Sequence, residues 1–367
     1  MWINLRKNKI GTLTFHRAQN YGAILQCYSL QRALINIGYE TEVLDYDCKK
    51  ISNDYSLIKT NSLIDFLKTI FFLPAYRRKR DRFGSFISKH IIVSSKCLCS
   101  EMYKVEDEYD AIIVGSDQVW NYKLTGCDSA YFLDFLSERK KRLSYAASLG
   151  IKEIPEKYRS FYQNNIEGMG FISVREKTAS RMLEKLCGRK SDVVLDPVFL
   201  QTAEQWRSIM PKIKETEYIF VYMPGEDTPN KVKELAKRKK LKVINCAYDV
   251  SFRKFKRNIG DVRLSMGPDE FIALLDGADY VVTGSFHATA FSLIFQKNFF
   301  VEVPPNVGSR ITALLDTFGL QNRTFNANSS IDENTEIDWQ RVSNKLNELR
   351  EMSLISLKKS IEGAVDG

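Results

Sequence analysis

The stretch VVTGSFHATAFSLIF, residues 281–295, decides the fold of the part of the chain in which it lies. An apolar run ends at the small residues Gly284 and Ser285, and a second apolar run follows with helical spacing. This order predicts a buried strand, a turn in which Ser285 is the N-cap, and a helix. Strand, turn and helix form the repeating unit of a parallel α/β sheet, so the stretch indicates that fold class.

His287 lies inside this stretch and is one of only three histidines in 367 residues. It falls in the first turn of the predicted helix, where backbone N–H groups without helical partners carry partial positive charge. A neutral imidazole at such an anion-attracting helix end suits general-base work on a hydroxyl, and its protonated form can then act as an acid. A histidine that only completes the core is the alternative, and the pattern by itself leaves both open.

The same order of elements recurs along the chain in two sets. The first set begins with KIGTLTF (9–15) and the second with EYIFVYM (217–223), and a strand broken at Pro197 separates them. A chain of 367 residues also exceeds what one hydrophobic core usually supports. The cleft between two such α/β domains is the natural ligand site. We predict an N-terminal domain at 1–197 with a helical basic insertion at about 50–105, a C-terminal domain at 198–337 and a terminal helix at 338–367.

The composition excludes several classes of protein. Hydrophobic content of 44% and charged content of 27% are typical of soluble globular proteins. Seven cysteines without a CxxC pair predict no zinc site and no disulfide framework, which favours a reducing cytoplasm. Neither GxGxxG nor GxxxxGK[ST] occurs, which argues against the common dinucleotide sites and P-loop nucleoside triphosphatases. The net charge of +9 favours anionic partners without naming them.

One segment is a candidate for contact with a membrane surface. The run LIDFLKTIFFLPAY (63–76) is interrupted by charges and proline, and the basic RRKRDR (77–82) follows at once. It is shorter than the ~20 apolar residues of a membrane span, and the N-terminus lacks the apolar core of a secretory signal. The pattern therefore predicts a cytoplasmic protein that contacts anionic lipid through this junction. An ordinary amphipathic helix ending in a solvated basic cluster is the alternative.

Two arginines and one early turn are candidate anion-binding elements. Arg310 stands at a turn that enters a helix, where an arginine and helix N–H groups together can bind carboxylate or phosphate. Arg175 ends the apolar strand FISVRE, so its guanidinium either points into the cleft or forms a salt bridge to Glu176 or another acid. Asn20, in the turn HRAQNYGA (16–23), belongs either to a backbone cradle for a ligand or to a purely structural turn.

The segment GSDQVWN (115–121) follows a buried strand and combines polar side chains with a tryptophan. Saccharide recognition needs this combination, because sugar C–H faces stack on aromatic rings while the hydroxyls take hydrogen bonds. A tryptophan in the core is the alternative. The candidate acceptor-binding residues of the segment are Asp117, Gln118, Trp120 and Asn121.

Taken in order, these segments resemble the polysaccharide pyruvyl transferase family over roughly residues 9–325. Each motif is moderately specific, and their order and spacing carry the resemblance. The motifs are NYGAILQ, IIVGSDQVWN, LSYAASLG, FISVREKTA, VVLDPVF, TGSFHATAFSLIF and GSRITALL.

The resemblance implies a GT-B-like fold of two Rossmann-like domains that face a cleft. It also implies transfer of the pyruvyl group of phosphoenolpyruvate to a sugar, usually as a ketal, with no metal and no cofactor. His287 aligns with the acid/base histidine of the family, and Arg175 aligns with an arginine that binds phosphoenolpyruvate. A basic residue after the next strand, lysine in some relatives, is also implicated, and Arg310 is its nearest match. Ser285 and Ser309, at the two helix N-termini, complete the implied site for its phosphate and carboxylate.

The resemblance places the acceptor in the N-terminal domain, with Asn20 and GSDQVWN as its candidate contacts. Many relatives have Asp where Ala23 stands and a GGG turn where GSDQVWN stands, so the sequence departs from the family on this side. The implied partner is a saccharide, in such pathways often on a lipid carrier at the cytoplasmic membrane face, and not nucleic acid.

Two alternatives remain at this level. A GT-B-like glycosyltransferase that uses a nucleotide sugar needs an acidic residue to bind the ribose, for which Glu302 is the candidate. A basic α/β protein that binds saccharide or nucleic acid without catalysis needs no role for His287.

Overall fold

Parallel strands alternate with helices along most of the chain, as the strand–turn–helix patterns predict. The structure is a computed structural model that describes residues 8–54, 63–97, 99–247, 257–305, 308–329 and 331–365. The described residues divide into two compact units. One unit falls within Met1–Ser56, Ile87–Gln201 and Asn347–Gly367, and the other within Leu57–Phe86 and Thr202–Leu346.

The first unit contains a five-stranded parallel sheet of order β3-β2-β1-β4-β5. Its strands are β1 (Lys9–Leu13), β2 (Glu40–Tyr46), β3 (Val93–Cys97), β4 (Ala111–Val114) and β5 (Arg142–Ser144). A short parallel pair, β6 (Ser173–Val174) and β7 (Asp192–Val193), lies beyond β5 and is joined to it by isolated bridges. The helices of this unit are Tyr21–Asn36, Lys49–Asp54, Tyr122–Thr125, Arg159–Glu167 and Lys177–Cys187.

The second unit contains a six-stranded parallel sheet of order β10-β9-β8-β11-β12-β13. Its strands are β8 (Tyr218–Tyr222), β9 (Lys242–Cys246), β10 (Asp261–Arg263), β11 (Tyr280–Thr283), β12 (Asn298–Glu302) and β13 (Thr324–Phe325). Its helices are Ala203–Arg207, Thr228–Lys239, Pro268–Asp276, Phe286–Ile294 and Ser309–Phe318. Two long helices, Leu63–His90 and Trp339–Val365, contribute residues to both units. The sequence prediction of an α/β fold with two Rossmann-like domains is confirmed.

The central strands are apolar because both faces of each parallel sheet are covered. Alternate residues of β4 point to opposite faces, so Ala111 and Ile113 join one apolar cluster while Ile112 and Val114 join another. All five residues of β8 are buried. The cluster that contains Ala111 and Ile113 also includes Leu357 and Ile361 from the helix Trp339–Val365.

The predicted domain boundaries need three corrections. The first unit continues from the predicted end at 197 to Gln201, whose side-chain amide donates to the Ser29 carbonyl at 3.2 Å. The predicted insertion is divided between the two units. Its residues up to Phe86 belong to the second unit, where the Arg82 guanidinium donates a hydrogen bond to Glu270. The terminal helix is divided as well, and from Asn347 onward it belongs to the first unit. An amphipathic pattern shows that a helix has an apolar face, but it does not show which sheet that face covers.

No helix in the described ranges is long and apolar enough to cross a membrane. In the basic segment 77–82, Arg77, Arg78 and Arg80 are exposed. Lys79 is buried, and its ammonium lies 5.7 Å from the centre of the Phe83 ring. The side chains of residues 63–71 are outside the described set, so the apolar half of the predicted membrane contact stays a prediction.

Candidate active site

The stretch 281–295 folds as the sequence predicts. Strand β11 ends at Thr283, and the helix Phe286–Ile294 begins two residues after Gly284. Ser285 is the N-cap: its hydroxyl accepts from the Ala288 N–H at 3.4 Å, and its own N–H donates to the Thr283 hydroxyl at 3.0 Å. A Cβ at Gly284 would lie 2.8 Å from the Met223 carbonyl oxygen, so the close approach of these two segments needs glycine.

His287 lies in the first turn of this helix and is 9% exposed. The ring of the half-buried Phe286 meets the imidazole edge-on, with 5.2 Å between the ring centres. The Arg310 guanidinium carbon lies 6.0 Å from the centre of the same Phe286 ring. This distance is at the outer limit for a cation–π contact. The structure therefore brings His287 and Arg310 together around Phe286.

The strand order explains why these residues meet. β11 and β12 are paired neighbours, with Thr283 opposite Val301, so the helices that follow them begin at the same edge of the sheet. Arg310 is the second residue of the helix Ser309–Phe318, and Ser309 is its exposed first residue. Ligands of open α/β sheets bind at this carboxyl edge. Phe286 was not among the predicted site residues, although the sequence places an aromatic residue between the turn and the histidine.

Arg175 directly follows β6 in the first unit, and its guanidinium lies within 4 Å of three carboxylates. Its Nη1 is 2.5 Å from the Asp196 carboxylate, which is completely buried. Asp117 and Glu176 lie at 3.8 and 3.7 Å from other nitrogens of the guanidinium. Burial by itself lowers the pKa of Arg175, but the charges of Asp196, Glu176 and Asp117 outweigh it and raise that pKa above its ordinary value.

Of the two sequence interpretations of Arg175, the structure shows the ion pair, with Asp196 as the main partner. The side chain is 3% exposed. The contact with phosphoenolpyruvate that the family resemblance implies stays a prediction.

Trp120 is a core residue, and this corrects the expected exposed indole. Its side chain is completely buried, stacks on Phe132 at 5.5 Å between ring centres, and donates its indole N–H to the Tyr131 carbonyl at 2.8 Å. The segment after the tryptophan folds back over it, which the pattern of GSDQVWN alone did not show. Trp120 therefore has no face on which a sugar can stack.

The other residues of this segment form a local network. The Asn121 carboxamide oxygen accepts from the Lys123 N–H at 3.0 Å and caps the helix Tyr122–Thr125. Its amide nitrogen donates to Gln118 at 2.9 Å, and Asp117 accepts from the Gln118 N–H at 2.8 Å. The roles of Asp117, Gln118 and Asn121 in acceptor binding stay predictions.

The early turn is built from capping and ionic contacts. Asn20 caps the helix Tyr21–Asn36 by accepting from the N–H groups of Gly22 and Ala23 at 2.9 and 3.3 Å. Arg17 donates twice to Asp45, at 2.8 and 2.7 Å, and the buried His16 lies 2.8 Å from the same carboxylate. The sequence did not single out Asp45, because its two partners stand nearly thirty residues earlier in the chain.

Asp45 is expected to make the free energy of unfolding depend on pH. Hydrogen bonds from His16 and then from Arg17 hold the pKa of Asp45 well below its ordinary value, although partial burial opposes them. A lowered pKa stabilises the fold above the unfolded-state pKa, about 3.9, and this contribution is lost as pH falls through the folded-state value. We expect Asp45→Asn to lower the free energy of unfolding at pH 7 by about 1.5–3 kcal/mol.

Urea unfolding from pH 7 down to pH 3 measures this effect. The difference between wild type and Asp45→Asn should be constant at neutral pH and shrink below about pH 4. Glu153→Gln, at an exposed carboxylate in the same unit, is the control and should track the wild type. A difference that stays constant down to pH 3 would contradict the ionic role of Asp45.

Glu302, the ribose-binding candidate of the glycosyltransferase alternative, is used within the second unit. Its carboxylate accepts from the backbone N–H groups of Asp227 and Thr228 at 3.1 and 2.8 Å and from the Thr228 hydroxyl at 2.5 Å. These bonds fix the start of the helix Thr228–Lys239. The role of Glu302 in ribose binding stays a prediction of that alternative.

The family model of the polysaccharide pyruvyl transferases matches residues 20–302. The chain belongs to this family. The prediction made from the ordered motifs is thus confirmed, and the family is one of transferases. The matched range includes His287 and Arg175, whereas Ser309 and Arg310 lie beyond its end. No curated protein sequence matches the chain.

Solved structures similar to this pyruvyl transferase family member include enzymes that act on nucleotide sugars. A putative UDP-N-acetylglucosamine 2-epimerase from Listeria monocytogenes is 10% identical, with a TM-score of 0.49 over 98% of this chain and 91% of that one. The glycosyltransferase SnogD from Streptomyces nogalater is 11% identical, with a TM-score of 0.47 over 96% and 99%. The UDP-GlcNAc 2-epimerase from Methanocaldococcus jannaschii is 10% identical, with a TM-score of 0.45 over 94% and 92%.

Proposed function

We propose that this chain transfers the pyruvyl group of phosphoenolpyruvate to two hydroxyls of a sugar in a cell-surface polysaccharide precursor. The product is a pyruvate ketal, and inorganic phosphate is released. Family membership supports the pyruvyl donor. The observation that carries the proposal is that His287 and Arg310 both lie near the Phe286 ring, at the carboxyl edge of the second sheet.

The second unit offers the groups that bind a doubly anionic donor. Phosphoenolpyruvate carries a phosphate and a carboxylate, and two helix N-termini together with the Arg310 guanidinium present complementary charge. Ser285 and Ser309 stand at the starts of these helices and add hydroxyl donors. In this proposal the phosphate and the carboxylate lie against these helix ends and Arg310.

The reaction then needs one proton on carbon and the loss of two from the sugar. Protonation of the methylene carbon makes C2 electrophilic, and the first sugar hydroxyl attacks C2 as His287 takes its proton. The C–O bond to phosphate breaks, and the second hydroxyl attacks the same carbon and closes the ketal. One of the two hydroxyl protons balances the proton gained by the methyl group, and the other leaves with the phosphate.

Incubation with phosphoenolpyruvate and a panel of lipid-linked or synthetic glycosides tests the proposal. We expect phosphate release that depends on the acceptor, and an acceptor whose mass rises by one pyruvate less one water. Mass spectrometry of the acceptor and a phosphate assay measure the two products. Transfer of a sugar from a nucleotide sugar without phosphate release from phosphoenolpyruvate would favour the glycosyltransferase alternative.

We also propose that the protein works at the cytoplasmic membrane face, where a lipid-linked acceptor would be found. Arg77, Arg78 and Arg80 are exposed on one helix and can face anionic lipid. We expect replacement of these three by Ser to abolish sedimentation with phosphatidylglycerol vesicles at low salt. Lys79 is kept because it is buried. Unchanged sedimentation of the variant would contradict the proposed contact.

A further inference from the structure

A cavity of about 670 Å³ opens in the first unit, at the carboxyl end of β2. Three segments form it: the end of β2 with the start of the helix Lys49–Asp54, the 3-10 helix Cys99–Glu108 at Met102, and residues 125–135. Its size lies within the range of small-molecule sites in proteins. Ligands of parallel sheets bind at the carboxyl ends of the strands, which is where this cavity lies.

The lining combines hydrogen-bonding groups of both kinds with an apolar wall. Lys49 and Lys50 are donors, Asp128 and Asp134 are acceptors, and Phe135 lies on the apolar side. Two cationic and two anionic side chains balance each other, so the cavity does not select a strongly charged ligand. Hydroxyl groups both donate and accept, and sugar C–H faces contact apolar side chains. A neutral polyhydroxylated ligand therefore fits this lining.

The Asp128 carboxylate, a hydrogen-bond acceptor in the cavity lining, is held in position by other residues of the protein. The Tyr46 hydroxyl donates to one oxygen of Asp128 at 2.8 Å, and the other oxygen accepts from the Ala130 N–H at 3.1 Å. Asp128 thereby caps the single turn Ser129–Phe132. A carboxylate fixed by two bonds of its own can still accept from ligand hydroxyls, because each of its oxygens has two lone pairs.

The segment GSDQVWN was predicted to contact the acceptor, but it instead holds residues of the cavity lining in position. The indole of Trp120 donates to the Tyr131 carbonyl in the turn that Asp128 caps. Asn121 caps the helix Tyr122–Thr125, which ends at Gly126 on the cavity wall. The residues of GSDQVWN thus position the lining, and the lining itself comes from the next ten residues of the chain.

We propose that this cavity binds a sugar residue of the acceptor, with Lys49, Asp128 and Asp134 as its polar contacts. That the sugar is an acceptor rests on the proposed function, whereas saccharide binding by the cavity does not. Lys49 and Asp134 are exposed side chains that can be changed without disturbing the Tyr46–Asp128 bond.

The test uses the full chain without phosphoenolpyruvate. Binding of p-nitrophenyl glycosides of the common hexoses and N-acetylhexosamines is followed by ligand-observed NMR in the wild type and in Lys49→Gln/Asp134→Asn. We expect at least one glycoside to bind the wild type, and the double variant to bind it about 10-fold or more weakly. The matched control is Lys185→Gln/Glu184→Gln, which changes an exposed pair on the helix Lys177–Cys187 and should leave binding unchanged.

The outcomes separate this inference from the proposed function. Weaker binding in the double variant, together with no pyruvyl transfer by the wild type, would keep the saccharide site and reject the transfer. Transfer by the wild type with an unchanged acceptor KM in the double variant would overturn the cavity as the acceptor site. Binding of none of the glycosides, or equal binding by wild type and double variant, would also overturn it.

Discussion

A His287→Gln variant is expected to bind phosphoenolpyruvate as the wild type does and to lose about 10²–10⁴-fold in turnover. Glutamine keeps a polar side chain of similar length in the first turn of the helix Phe286–Ile294, so the Ser285 cap on the Ala288 N–H and the position of Arg310 near the Phe286 ring should persist. It cannot accept and return a proton. Calorimetric binding of phosphoenolpyruvate and acceptor-dependent phosphate release measure the two quantities separately.

The control for this experiment is His90→Gln, at the end of the helix Leu63–His90 in the first unit. It also removes an imidazole and should leave turnover unchanged. Full turnover by His287→Gln would remove the proposed general base and would favour the interpretation of His287 as a core residue. Loss of both binding and turnover would show that His287 also contacts the phosphate or the carboxylate of the donor.

An Arg175→Met variant is expected to lower the free energy of unfolding by about 3–5 kcal/mol. The substitution removes the cation that lies 2.5 Å from the completely buried carboxylate of Asp196, and Glu176 is also buried. A buried carboxylate that loses its counter-charge is costly, because the hydrogen bonds that Asp196 keeps from the Ser116 hydroxyl and the Val198 N–H do not replace that charge. Urea denaturation followed by circular dichroism measures the effect.

Arg181→Met provides the comparison, since Arg181 is exposed on the neighbouring helix and its replacement should change stability by no more than about 0.5 kcal/mol. If Arg175→Met kept full stability and raised the KM for phosphoenolpyruvate, the guanidinium would be a ligand contact, as the family resemblance implies. If stability fell with KM unchanged, Arg175 would be a structural residue of the first unit.

The sequence predicted those parts of the fold that depend on neighbouring residues. The VVTG strand, the Ser285 cap and the helix after it all follow from residues within a few positions of one another. The family could also be recognised, because it depends on the order of several such local motifs.

Features that depend on distant residues were not predictable. Nothing in the sequence connects Asp196 with Arg175, or Glu302 with the helix start at Thr228, which lies 74 residues earlier. Trp120 is the clearest case at the candidate acceptor site. Its burial depends on the turn Ser129–Phe132 folding back over it, and a polar segment with one tryptophan is compatible with either outcome.

The position of the last helix has a consequence for how the protein is made. Leu357 and Ile361 share an apolar cluster with Ile10 of β1, so residues far apart in the sequence build one core. Domains near the N-terminus usually fold while the rest of the chain is still being translated. Here the apolar cluster around Ile10 lacks Leu357 and Ile361 until translation has passed the second unit. The N-terminal unit is thus the first to be synthesised, but it cannot be completed before the second.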